Sequence, residues 1–320
     1  MGSKPLIRPA KLRPGCRVAL IAPGGPLLET DDLIRAQALC RALGYEPQLG
    51  QHADRRHGYL AGTDDERLAD LNSSLGDPSI DAVWCIRGGY GSLRLLDRVD
   101  FDALVRRPKA VIGFSDITSL LNAIAWKAGV VSFHGPVARA SMTPFSRRHF
   151  ERVLASTEIP GRLDRLPSPA DILAPQQNRI VPLVSGRAEG FLAGGNLTLL
   201  HCLIGTPYFP PLDGAILFLE DVGEDLYRVD RMLAHLRITG AFRGLNGVLV
   251  GRFTELERAT SDGALGFDEV LATYFGPLGV PVAYGFPVGH IESQWTLPLG
   301  VHARLDADAG ELELLEPAVN

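Results

Sequence analysis

Short, wholly apolar runs, each cut off by a glycine or proline cluster, recur through the first half of this chain and alternate with helix-period segments. Residues 17–22 (RVALIA) run into Pro23-Gly24-Gly25-Pro26, and residues 82–86 (AVWCI) run into the Gly88-Gly89-Tyr90-Gly91 loop. Residues 110–113 (AVIG) precede Ile117, Leu120, Leu121 and Ile124, which fall on one helical face. A run without polar alternation suits a strand covered on both faces. Strands separated by helices imply right-handed crossovers. The pattern predicts an α/β fold with a mainly parallel sheet between helical layers. Residues 130–133 read as a fourth strand. Residues 32–43 read as a helix, capped by Asp31 or Asp32 and stopped by Gly44.

The character changes after Phe150. Pro160, Pro167, Pro169, Pro175 and Pro182 crowd one polar stretch, which reads as a linker. A chain of 320 residues suggests two domains. The expected division is residues 1–150, a linker at 151–184, and a smaller, mixed, β-rich unit at 185–320. In that unit residues 190–195, 215–219, 247–253 and 282–284 read as strands, and 225–237 as a long helix. Residues 299–305 and 311–315 flank a turn and read as a hairpin.

Composition excludes several partners. The net charge is −5, and no basic run accompanies it, which argues against nucleic acid. No stretch approaches the ~18–20 apolar residues that span a bilayer, and the N-terminus lacks a secretory apolar core. The four cysteines contain no C-x-x-C pair, which argues against a zinc site and a disulfide framework. Scattered reduced cysteines fit the cytoplasm.

Four places could carry chemistry. Ser115 sits where an apolar strand gives way to a helix, in Gly113-Phe114-Ser115-Asp116. A sharp strand-to-helix turn exposes a nucleophile, and a helix start offers unpaired N–H groups to an oxyanion. The same position also suits a serine that merely caps the helix. The second glycine of the G-x-S-x-G elbow is replaced by Ile117. The Gly88-Gly89 loop fits neither the dinucleotide fingerprint nor a phosphate-binding loop. It lets backbone N–H groups approach a ligand, or serves only as a tight turn. Glu220 follows an apolar run, with Asp221 pointing the other way. Glu224 and Asp225 are explained by the helix they precede. Of the eight histidines, His290 lies in a loop after a strand, a common place for a general base. His134 is its main competitor, His235 reads as a surface group, and His52 and His57 lack a third metal ligand.

Taken together, the segments resemble the LD-carboxypeptidase family, serine peptidases of the S66 type also called muramoyltetrapeptide carboxypeptidases. The resemblance rests on YLAGTDDERLADLN (59–72), IRGGYGS (86–92), IGFSDIT (112–118), FHGPV (133–137), GFLAGGNL (190–197), LFLEDVGE (217–224), GVLVGRFT (247–254) and the Gly289-His290 pair, in that order along nearly the whole chain. It implies a flavodoxin-like N-terminal domain, with the site between two domains. It implies Ser115 as nucleophile, His290 as general base and Glu220 as the group that orients it. Backbone N–H groups of Asp116 and Gly89 would form the oxyanion hole, with Gly88 and Arg87 at the substrate. The implied reaction releases terminal D-Ala from murein tetrapeptides during cytoplasmic cell-wall recycling, without metal or organic cofactor. Relatives of this type are commonly homodimers. The alternatives are the family's microcin C branch, which hydrolyses acyl-sulfamoyl adenylates, and a non-catalytic flavodoxin-like binding module.

Overall fold

The computed structural model describes residues 6–167, 178–256 and 265–320. Along the first half come Arg17–Ile21 (β1), Asp32–Ala42 (α1), Glu46–Leu49 (β2), Asp64–Gly76 (α2), Ala82–Cys85 (β3), Phe101–Arg106 (α3), Ala110–Gly113 (β4), Thr118–Ala123 (α4), Phe133–His134 (β5) and Pro144–Leu154 (α5). The strands lie in the order β2-β1-β3-β4-β5, every neighbouring pair parallel. This is the flavodoxin-like order. All residues of β3 and β4 are buried, as the unbroken apolar runs require.

The second half supplies Gly161–Arg162 (β6), Val181–Val184 (β7), Arg187–Asn196 (β8), Leu197–Cys202 (α6), Ala215–Val222 (β9), Leu226–Ile238 (α7), Gly247–Thr254 (β10), Phe267–Phe275 (α8), Val282–Tyr284 (β11), Leu297–Pro298 (β12), His302–Asp306 (β13) and Glu311–Leu314 (β14). An eight-stranded sheet runs β6-β14-β13-β8-β9-β10-β11-β7. Its centre, β8 to β11, is parallel, and its flanks are antiparallel.

Several local expectations change. Asp31 precedes α1 without a side-chain cap, and the Asp32 carboxylate turns back to accept from Leu28 N–H (2.9 Å) and Glu29 N–H (3.1 Å). It stabilises the preceding loop, not the helix start. The fourth strand shrinks to Phe133–His134, and Val130 only bridges to Ile7. Of the proline-rich stretch, residues 168–177, with Pro169 and Pro175, lie outside the described residues. On either side of them β6 and β7 form the two edges of the second sheet. Pro182 lies on edge strand β7, where a missing N–H is tolerated. From the second half, β12 crosses back and pairs antiparallel with β5, extending the first sheet to six strands.

Two features set where chemistry can occur. The loops after β1 and β3 leave the carboxyl ends of the strands where the order reverses, the usual ligand crevice of such sheets. There Gly25 N–H donates to Gly88 O at 2.7 Å. The helix after β4 also docks on the second sheet. Asn122 Nδ2 donates to Gly194 O (3.0 Å), and Asn196 N–H donates to Thr118 Oγ1 (3.0 Å). This seats the turn after β4 beside β8, whose neighbour is β9. Among the described residues no helix is long and apolar enough to cross a membrane, and all four cysteines are free.

Candidate active site

The turn after β4 is a short 3-10 segment, Ser115–Ile117, leading into α4. Ser115 has φ 63°. That is the left-handed region, which costs a non-glycine residue about 1–3 kcal/mol. Phe114, not Ser115, holds the cap position of this segment, and the Ser115 hydroxyl pairs with His290 Nε2. Ser115 therefore stands inside the turn and not at its cap, with its backbone in the strained region and its Oγ on the imidazole.

Ser115 Oγ lies 3.0 Å from His290 Nε2, and His290 Nδ1 lies 2.9 Å from Glu220 Oε2. A carboxylate only accepts hydrogen bonds, so beside ionised Glu220 the proton sits on Nδ1. Nε2 is then left as an acceptor facing the serine hydroxyl. Three side chains 175 and 70 residues apart thus form one hydrogen-bonded chain.

Each member is held by its element. Glu220 is fully buried on β9, which continues to Val222, so it is not at the strand end that the apolar run suggested. Its Oε1 has no partner among the described residues. Asp221 faces the other way. It accepts from Asn196 Nδ2 (2.8 Å) and from Thr198 N–H and Oγ1 (each 2.9 Å), fastening the start of α6. Burial, then the charge of Glu220, pushes the Asp221 carboxyl above its usual range. His290 follows Gly289, whose φ of 123° is open only to glycine. A Cβ at Gly289 would stand 2.8 Å from Arg252 O and 3.0 Å from Glu220 Cβ. The turn can therefore close onto β9 and β10 only without a side chain. The Phe114 ring packs against the imidazole, centroids 4.8 Å apart.

The glycine loop lies against the serine turn. A Cβ on Gly88 would meet Ser115 Cβ at 2.9 Å and Asp116 N at 3.2 Å. Neither Gly88 nor Gly89 N–H finds a backbone acceptor among the described residues. The Asp116 carboxylate, which the sequence reading passed over, anchors this loop. It accepts from Gly91 N–H (3.1 Å) and Ser92 N–H (2.9 Å), while Ser92 Oγ donates to Asp116 O (2.6 Å). Burial raises the Asp116 pKa against these hydrogen bonds.

Other candidates fall differently. His134 is fully buried, and its two ring nitrogens have no partner among the described residues. Burial, then the charge of His290, pushes its pKa down to about 3. Neutral and enclosed, it is a packing group between Phe114 and Phe218. His235 is exposed as expected, but its Nδ1 lies 2.9 Å from His201 Nε2. Arg87 donates to the Pro26 carbonyl, so part of its guanidinium ties the two crevice loops together. Burial, then Arg139, lowers its pKa. Arg139 lines a cavity of about 310 Å³ with Phe114, Val137, His290 and Glu292. Arg139 has no sequence signature, because it matters only through its neighbours in space; Phe114 lies within the IGFSDIT segment, but its packing on His290 is legible only in space. Among the described residues no group of three or more His, Cys, Asp or Glu is arranged to hold a metal ion.

Such a serine–histidine–carboxylate chain, beside free backbone donors, is able to perform acyl transfer. Comparison with known proteins points the same way. Residues 18–135 match the LD-carboxypeptidase N-terminal domain, and residues 189–305 match the LD-carboxypeptidase C-terminal domain. A protein of Streptomyces coelicolor that bears a carboxypeptidase name is 41% identical over 98% of each chain. The murein tetrapeptide carboxypeptidase of Pseudomonas aeruginosa is 37% identical, covering 91% of this chain and 94% of its own. Among solved structures, the microcin C7 self-immunity protein MccF in its wild-type apo state superposes with a TM-score of 0.89 at 26% identity, covering 98% of this chain and 100% of that one.

Proposed function

Because this chain belongs to the LD-carboxypeptidase family, with matches to both of its domains, we propose that it is a serine carboxypeptidase that removes the terminal D-Ala from murein tetrapeptides. The substrate in this reading is L-Ala–D-Glu–meso-diaminopimelate–D-Ala, cut on the carboxyl side of the L-centre of diaminopimelate. The observation that carries it is the hydrogen-bonded chain from Ser115 through His290 to Glu220.

His290 Nε2 takes the Ser115 proton as Oγ attacks the diaminopimelate carbonyl. The backbone N–H groups of Asp116 and Gly89 hold the oxyanion, and each such donor is worth about 10²–10³ in kcat. His290 then returns the proton to the departing D-Ala amine. Water attacks the acyl-enzyme by the same route. Glu220 stays ionised and keeps the proton on Nδ1. Gly88 and Arg87 face the substrate's C-terminal end. No metal or organic cofactor takes part. Free cysteines favour a cytoplasmic, recycling role. A homodimer is the expected assembly, which sedimentation would test.

Incubation with the tetrapeptide and mass analysis for the tripeptide tests the reading, with Ser115→Ala as control. Release of D-Ala that survives in Ser115→Ala removes the serine from the chemistry. The TM-score of 0.89 with MccF supports a second reading inside the family, hydrolysis of acyl-sulfamoyl adenylates. Side-by-side assay of both substrates separates the two. Inertness towards both leaves a binding module.

A further inference from the structure

Arg252 stands beside this site without a counter-charge among the described residues. Its backbone closes the end of β10 onto the turn before His290, donating N–H to Val288 O at 2.8 Å. Its side chain reaches a cavity of about 760 Å³. Among the described residues it makes no ion pair, and its Nη2 is buried without a hydrogen-bond partner. The same holds for Thr254 Oγ1, whose residue lines the same cavity. Burial, with nothing opposing it, holds the Arg252 pKa below the ordinary arginine value. Neighbouring arginines differ. Arg148 has Asp164 at 3.7 Å, and Arg139 has Asp32 at 3.7 Å. A buried donor left unmade costs about 1–3 kcal/mol, and a charged one more. An arginine kept in that condition beside an active site is suited to an anion that arrives with the ligand.

The cavity narrows the choice of anion. Ile291, Glu292 and Ser293, the three residues after His290, form one wall, and Phe253 and Phe145 add apolar surface. Glu292 is exposed at this wall and also lines the smaller cavity beside His290. The volume falls in the range of ligand pockets that enclose a molecule of several residues. Among the described residues the pocket holds Arg252, which makes no ion pair, Arg148, which faces Asp164, and the exposed carboxylate of Glu292. With apolar surface between, Arg252 and Glu292 match a group bearing a carboxylate and an ammonium at the end of a hydrocarbon arm.

We infer that this cavity receives the zwitterionic far end of the substrate's diamino acid, its carboxylate on Arg252 and Thr254 and its ammonium towards Glu292. The inference rests on the proposed peptidase reading and deepens it. Lysine at the same place keeps the ammonium and lacks the carboxylate, so Arg252 is the residue that tells the two apart.

The test uses full-length protein carrying Ser115→Ala, so that binding is read without turnover. Calorimetry compares the diaminopimelate tetrapeptide with its lysine analogue and with a D-isoglutamine analogue that lacks the D-Glu carboxylate. The charged hydrogen bonds predict a preference for diaminopimelate over lysine of roughly tenfold to a hundredfold. Arg252→Gln should erase that preference and Arg252→Lys should keep part of it. The melting temperature of Arg252→Gln should hold or rise, since an unpaired buried charge is removed; a merely structural arginine would lower it. Undiminished preference in Arg252→Gln overturns the inference. So does a loss that falls on the isoglutamine comparison instead, or failure of every peptide to bind. Binding with the expected preference, but no D-Ala release by the unmodified protein, would leave the inference standing and remove the peptidase reading.

Discussion

The two turns that meet at the site use opposite backbone devices. The turn after β4 holds a serine at φ 63°, where a side chain is strained. The turn before His290 holds a glycine at φ 123°, where a side chain is excluded by Arg252 O and Glu220. Strain thus sits on the residue proposed to react, and room is given to the residue that positions its base. The surroundings follow suit. The serine turn is laced by hydrogen bonds among Asp116, Gly91, Ser92 and Ser119, which over-determine it. The histidine turn relies on close backbone packing and on one carboxylate. Strained geometry persists where neighbours enforce it, and permissive geometry persists where nothing intrudes.

Substitutions can break each side of that contrast. Among variants that keep the nucleophile, the largest effect is expected at Glu220→Gln, which disturbs the tautomer of His290 and should lower kcat about 10⁴-fold, by analogy with other triads. Steady-state D-Ala release checks this, and normal turnover would leave His290 oriented by something else. Gly289→Ala should cost about 10²-fold in kcat, because an added methyl pushes the imidazole off line by a fraction of an ångström or more. Unchanged kinetics would mean that the histidine turn is not a tight fit. Ser115→Gly sharpens the other side. It should abolish turnover yet raise stability by about 1 kcal/mol in urea unfolding, since the strain is relieved. A less stable variant would mean that the turn stores no strain.

The smallest effect concerns acid. His134 titrates at about 3 when folded against an ordinary 6.5. Between those values the unfolded chain binds a proton that the folded one does not, so stability falls as pH drops through that window. His134→Phe should flatten the fall in melting temperature between pH 6 and 4, about where that window lies. An unaltered pH profile would show that other groups govern it.

Much of the fold is legible in the sequence because a doubly covered strand leaves an unbroken apolar run, as in β1, β3 and β4. The elements that escape it are those made by pairing alone. β12 is two residues long and joins a sheet built mainly by the other half. β9 extends through Glu220 and Asp221, polar residues that hide the end of a strand. At the site, the residues Ser115, Glu220 and His290 can be picked out from motif order. Whether Ser115 caps or protrudes cannot, since both need a helix start and differ only in φ. The Asp116 carboxylate and Arg252 stay hidden for a related reason. What each does depends on which polar atoms lie, or do not lie, against it in space.

Single and double substitution of Ser115 and His290 by alanine, with D-Ala release followed at saturating tetrapeptide, tests the central claim most directly. If hydroxyl and imidazole work as one unit, the double variant loses no more rate than either single one. Losses that multiply would mean that the two side chains act independently, and the hydrogen bond between them would not be the engine of the reaction.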